Sequence, residues 1–168
     1  MFLKKIGTKE IAVSSMLGAL VFIMEYLPLD VRFPIYPRVS WDPSGIPIMI
    51  SLLFFGPISA IYTCLVGCSV IFLRSISGGF FKVVAELSTL LGYALIGNSM
   101  MVKTVSAISF RVIVMTITNY FMLPFFYNMP ESVVVGILPV LALFNISQAL
   151  INIIPAQVIY QRLRNFVQ

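Results

Sequence analysis

The chain contains no histidine, so the commonest general base and the commonest metal ligand are both missing. It has no G-x-x-x-x-G-K-[ST] run either, and without that cradle of backbone amides it has no means of its own to hold and spend ATP. Its two cysteines, Cys64 and Cys68, lie four apart with no histidine or carboxylate company, which argues against a metal site and for small apolar core residues. Charge is scarce: 10% of residues are Asp, Glu, Lys or Arg and 60% are hydrophobic, whereas a soluble domain has about a quarter charged and about half apolar. A soluble reading would need an oversized core, so the lipid bilayer is the expected solvent. The net charge is +5, but the basic residues are scattered singly or in pairs. Nucleic acid would need a basic stripe and is not an expected partner; a surplus of this kind serves membrane topology.

What the chain has in abundance is apolar length. Spans of roughly 20 residues leave room in 168 residues for about six helices and short connections. The blocks fall near residues 10–27, 44–56, 58–75, 80–98, 101–125 and 132–161, forming a single membrane domain over residues 1–168 with an external loop at 28–43. Lys4, Lys5 and Lys9 before the first block imitate a signal peptide. No A-x-A cleavage site follows and the chain stays apolar, so a retained first span is expected. Gly56-Pro57 interrupts the run from Ile46 to Leu73 and predicts a tight turn between two helices. Lys4, Lys5, Lys9, Lys103, Arg162 and Arg164 fall on one side of such a bundle and Arg32, Arg38 and Arg74 on the other. By the positive-inside rule both termini are then cytoplasmic. The expected class is an all-α integral membrane protein of the plasma membrane, a compact bundle of six transmembrane helices.

The long connection, PLDVRFPIYPRVSWDPSGIP, holds five prolines and three aromatics over Pro28–Pro47. Prolines fix backbone angles, so this loop is expected to hold a defined shape over the bundle mouth, with Tyr36 and Trp41 serving either a lid or an interfacial belt. Within the spans, polar groups are costly and face the bundle interior or a cavity, which makes each a functional candidate. Lys82 and Glu86 are spaced to pair along one helix face. They are read either as a self-neutralising pair or as ligand contacts. Asn145, Gln148 and Asn152 line one face of the last block with amide groups; the first two are ligand candidates and Asn152 a structural one. Asn119 sits among aromatics including Tyr120, the composition of a small-molecule pocket or of an interfacial belt. Arg111 reads as a snorkelling or internally paired cation. Ser14 and Gly18, like Ser15 and Ala19, place small residues four apart, which permits close helix approach within the bundle or to a partner.

Together these residues resemble the substrate-binding S components of energy-coupling factor (ECF) vitamin transporters, and most closely the riboflavin-specific branch. Ser15-x-x-x-Ala19 is similar to the family's A-x-x-x-A motif, and Asp42-Pro-Ser-Gly-Ile-Pro47 with Phe55-Gly-Pro57 to its D-x-S-x-I-P and F-G-P elements. Asn119-Tyr-Phe-Met-Leu-Pro124 resembles N-Y-F-x-x-L-P, and Phe144-Asn145 the F-N of the sixth helix. The resemblance implies a six-helix importer subunit that takes one vitamin from outside under the first loop, with no cofactor of its own. Its implied partners are a transmembrane coupling subunit, met by the small face of the first helix, and two ABC-type ATPases. Asn119 and Asn145 would bond polar edges of the flavin. Gln148 stands where that branch usually has lysine, and Glu86 near an expected asparagine, so another vitamin or small aromatic molecule is the alternative. From a different class, a small membrane enzyme acting on a lipid-like substrate would use Lys82 and Glu86 as base and acid.

Overall fold

Apolar runs punctuated by glycine, serine and proline build six helices among the described residues of the computed structural model, which cover 7–27 and 29–167. Lys4 and Lys5 of the charge count, Pro28 of the external loop, and the chain ends at Met1 and Gln168 lie outside them. The helices are α1 (Thr8–Tyr26), α2 (Gly45–Phe55), α3 (Pro57–Arg74), α4 (Ile76–Leu95), α5 (Met100–Tyr127) and α6 (Glu131–Val167). Local chemistry sets their ends. Ser75 and Ser99 cap α4 and α5, their hydroxyls accepting from the amides of Gly78 at 3.1 Å and Val102 at 3.3 Å. Gly56, at φ 91°, turns the chain between α2 and α3, and Pro57 takes the first helical position, where its missing N–H costs nothing.

Helices α2 to α6 close into a ring, each packed on the next and α6 returning to α2, while α1 lies outside against α3 and α2. Small residues on both helices seat it: a methyl group on Gly67 of α3 would sit 2.3 Å from Val21 of α1, and one on Gly18 of α1 3.0 Å from Val66 of α3. The apolar core fills the half of the ring remote from the external loop, around Ile48, Met49, Leu52, Cys64, Cys68, Leu90, Ala149 and Ile153. Cys64 and Cys68 are both fully buried there.

Among the described residues three helices, Pro57–Arg74, Met100–Tyr127 and Glu131–Asn165, are long and apolar enough to cross a membrane by length and composition. The 11-residue α2 reaches only about 16 Å, half a bilayer core. The expectation of an entirely α-helical chain needs one correction. The external loop contains a short antiparallel hairpin, β1 (Val31–Arg32) with β2 (Ser40–Trp41), Val31 opposite Trp41. Its buried Phe33 packs on Trp41 with ring centroids 5.1 Å apart and on Phe144 of α6 at 5.6 Å, pinning the loop onto the bundle as a cap.

Candidate ligand-binding site

Between this cap and the core lies a cavity of about 600 Å³, walled by α4, α5 and α6 and roofed by Tyr36, Arg38, Val39, Ser40 and Asp42. That volume is in the range of small-molecule sites. Helix α5 lines it with one stripe at four-residue spacing, Arg111, Met115, Asn119, Leu123 and Tyr127. Helix α4 contributes Phe81 and Lys82; α6 contributes Leu141, Phe144, Asn145 and Gln148.

Asn119 is 6% exposed and makes no hydrogen bond to any described residue, although it faces the cavity. Buried amides are ordinarily bonded, so an uncommitted one on a cavity wall has its full capacity left for a ligand. Asn145 is half committed. Its Oδ1 accepts from Arg111 Nε at 3.1 Å and its Nδ2 donates to the Leu141 carbonyl at 2.8 Å, leaving one N–H. Gln148 also lines the cavity, but its amide holds the cap. Nε2 donates to the Asp42 carbonyl at 2.6 Å and to Asn152 Oδ1 at 3.2 Å, and Oε1 accepts from the Asp42 amide at 3.2 Å.

The Lys82–Glu86 pair, one of the two readings of these residues, is present within a wider network. Lys82 Nζ is 3.7 Å from Glu86 but 2.6 Å from Asp42 and 3.1 Å from Glu25, and it donates to Ser44 Oγ at 2.8 Å. The Ser44 hydroxyl in turn bonds the Glu25 and Asp42 carboxylates. The reason is geometric: the sequence neighbour at i+4 competes with carboxylates that α1 and the cap bring in from 40 to 57 residues away. Burial pushes the Asp42 carboxyl up, but the Lys82 ammonium, with bonds from Lys82 and Ser44, outweighs it and holds Asp42 below its ordinary 3.8. Glu86 lies behind the wall, its Oε1 taking Arg111 at 3.2 Å and Asn152 at 3.2 Å. Asn152 is therefore structural, and Arg111 is internally paired while also facing the cavity.

Two aromatic candidates sit off the wall. Trp41 donates through Nε1 to Ser147 at 2.8 Å and packs on Phe33, and Tyr120 bonds the Glu131 carboxylate. Phe81, Phe144 and Tyr127 supply the aromatic wall in their place. The stripe periodicity of α5 was the available signal for Met115 and Tyr127; nothing local marked Phe81. Among the small residues of α1, Ser14 and Gly18 are buried against α3, where Thr63 Oγ1 donates to the Ser14 carbonyl at 3.2 Å. They face the bundle, not a partner. Ser15 is half-buried, its hydroxyl 3.2 Å from Tyr62 Oη, and Ala19 is exposed beside Met16, Leu20 and Ile23.

Against known proteins, the chain superposes on a solved structure of the S component of a bacterial ECF transporter with a TM-score of 0.79 and 29% identity, covering 95% of this chain and 98% of that one. Over nearly its whole length the chain is similar to an ECF S component. It is also 29% identical over 180 residues to the riboflavin transporter RibU of Staphylococcus aureus (strain TCH60), covering 95% of this chain and 93% of that protein. No protein-family model matches it. Both relatives are named as transporters or transporter components, and neither as an enzyme. The geometry agrees: Glu86, the acid or base of the enzyme alternative, does not face the cavity.

Proposed function

We propose that the chain captures riboflavin from outside the cell and delivers it through an ATP-driven coupling module. One observation carries this reading: an aromatic-walled cavity of about 600 Å³ under a proline-stiffened cap, with the buried, uncommitted amide of Asn119 on its wall. Such a site suits a flat heterocycle, which stacks on Phe81, Phe144 and Tyr127 and bonds through its ring edges to Asn119 and Asn145. The curated relative is named as a riboflavin transporter, which favours that vitamin among flat heterocycles. Lys82 and Tyr36 complete the site where the cap meets α4, and Gln148 contributes by keeping the cap in place. The residues of α1 that remain open, Ser15 and Ala19 with their apolar neighbours, suit a transmembrane coupling subunit, which would connect to two ATPases. In this reading all six helices lie in the plasma membrane with both termini cytoplasmic.

The test is a titration of detergent-purified protein with riboflavin, followed by quenching of flavin fluorescence. Saturable one-to-one quenching is expected, with Asn119→Ala and Asn145→Ala each weaker by about tenfold or more, the worth of one or two buried hydrogen bonds. Absent quenching, or wild-type affinity in both variants, would exclude riboflavin at this site.

A further inference from the structure

Arg111 is the least expected group on the cavity wall. It is 2% exposed, and its guanidinium has five N–H donors in a fixed fork. Three are spent: Nε on Asn145 at 3.1 Å, and Nη1 on Glu86 at 3.2 Å and Thr89 at 3.0 Å. The two on Nη2 meet no acceptor among the described residues, on a side chain that lines the cavity. A cation sunk this deep with unspent donors is costly unless something accepts from them. Its surroundings do not answer that need. The second oxygen of Glu86, Oε2, is itself buried without a partner, so the pair is arranged to leave Nη2 free instead of closing a two-bond fork.

The chemistry offered at this end of the site is therefore one-sided. Arg111 presents two N–H groups and Asn145 one more, while the Asn145 oxygen is already engaged by Arg111. Asn119, eight residues along the same face and about 12 Å away along the helix, offers both donors and an acceptor. Met115 lies between them, giving an apolar surface for a ring. A ligand spanning this stripe needs an elongated flat body with carbonyl oxygens or ring nitrogens at its Arg111 end.

We propose that Arg111 is a ligand-binding residue and the specificity-determining cation of this site, donating from Nη2 to an acceptor edge of the heterocycle, with Glu86 and Thr89 as its positioning partners. This rests on the riboflavin reading above and adds the group that chooses among flat heterocycles. Arg111 takes on the cationic role at a position where no sequence motif places it, while Gln148, where the resemblance led to an expected lysine, is occupied in holding the cap.

The test pairs ligand edits with residue edits. Riboflavin and its 1-deaza, 5-deaza, 2-thio and 4-thio analogues, each weakening one ring acceptor, are titrated against wild type, Arg111→Met/Glu86→Gln and Arg111→Lys. The double variant removes both charges of the pair and so leaves no buried carboxylate stranded. Wild type is expected to reject at least one analogue by about tenfold or more. The double variant is expected to bind riboflavin about ten- to hundredfold more weakly, the worth of a charged hydrogen bond, and to treat that analogue like riboflavin. A merely structural role would weaken all five ligands alike. A folded double variant with the wild-type analogue profile overturns the proposal. If the double variant does not fold, Arg111→Lys decides, since it keeps the charge and loses the fork: an altered profile supports the assignment and an unaltered one overturns it. Wild type that binds none of the five overturns the riboflavin reading and this inference with it; wild type that binds riboflavin while the variants keep its profile overturns this inference alone.

Discussion

Gly45 shows how tightly single residues are fitted beneath the cap. A methyl group on it would lie 1.9 Å from Asn152 Nδ2 and 2.9 Å from Glu86 Oε2, and Nδ2 cannot retreat without abandoning its buried bond to Glu86 Oε1. Gly45→Ala is expected to destabilise the protein by about 1–3 kcal/mol, as overpacking does. Gly136, on the outer side of α6, has nothing within 4 Å of such a methyl, and Gly136→Ala should leave stability unchanged or raise it by up to about 1 kcal/mol through helix propensity. Thermal unfolding of the two variants in the same detergent checks both; equal melting temperatures would contradict the close approach at Gly45. At this scale the sequence was readable where a residue's cost has a local cause. Asn119 and Asn145 stood out because an amide in an apolar block needs a partner. Arg111 did not reveal its second role, because the groups that hold it, Glu86, Thr89 and Asn145, come from two other helices.

The element that responds to conditions is the cap. Its hold on the bundle combines the Gln148 clamp on the Asp42 backbone, the Trp41–Ser147 bond and the Asp42–Lys82 ion pair. Only the last rests on a side chain that titrates in acid. Because Asp42 is held below its ordinary 3.8 in the folded protein, its stabilising contribution is complete above that value and is lost as pH falls through the lower, folded one. Trp41 is the only tryptophan in the chain and sits on the cap, so its emission reports this directly. The emission should be flat from pH 7 to 5 and change only below about 3.8, and Asp42→Asn should remove that step. A transition near pH 6 would mean that another group controls the cap. Proline density made a shaped cap legible from the sequence. The strands were not legible, since two-residue segments carry no alternation to read, and neither was the pinning of Phe33 on Phe144, a contact between parts of the chain about 110 residues apart.

For the molecule as a whole, composition and block length gave the helical membrane class, and the motif order gave the likeness to ECF S components that the superposition also finds. The closed ring from α2 to α6 and the division into an apolar half and a cavity half depend on contacts distant in the chain, which periodicity alone does not specify. The account's central claim is that the capped cavity retains one flavin. Native mass spectrometry of protein extracted in mild detergent, after incubation with riboflavin and removal of the excess, tests it most directly. The account predicts a single added mass equal to one riboflavin, lost on Asn119→Ala/Asn145→Ala. A spectrum showing only the bare chain, or only lipid adducts unaffected by those substitutions, would contradict it.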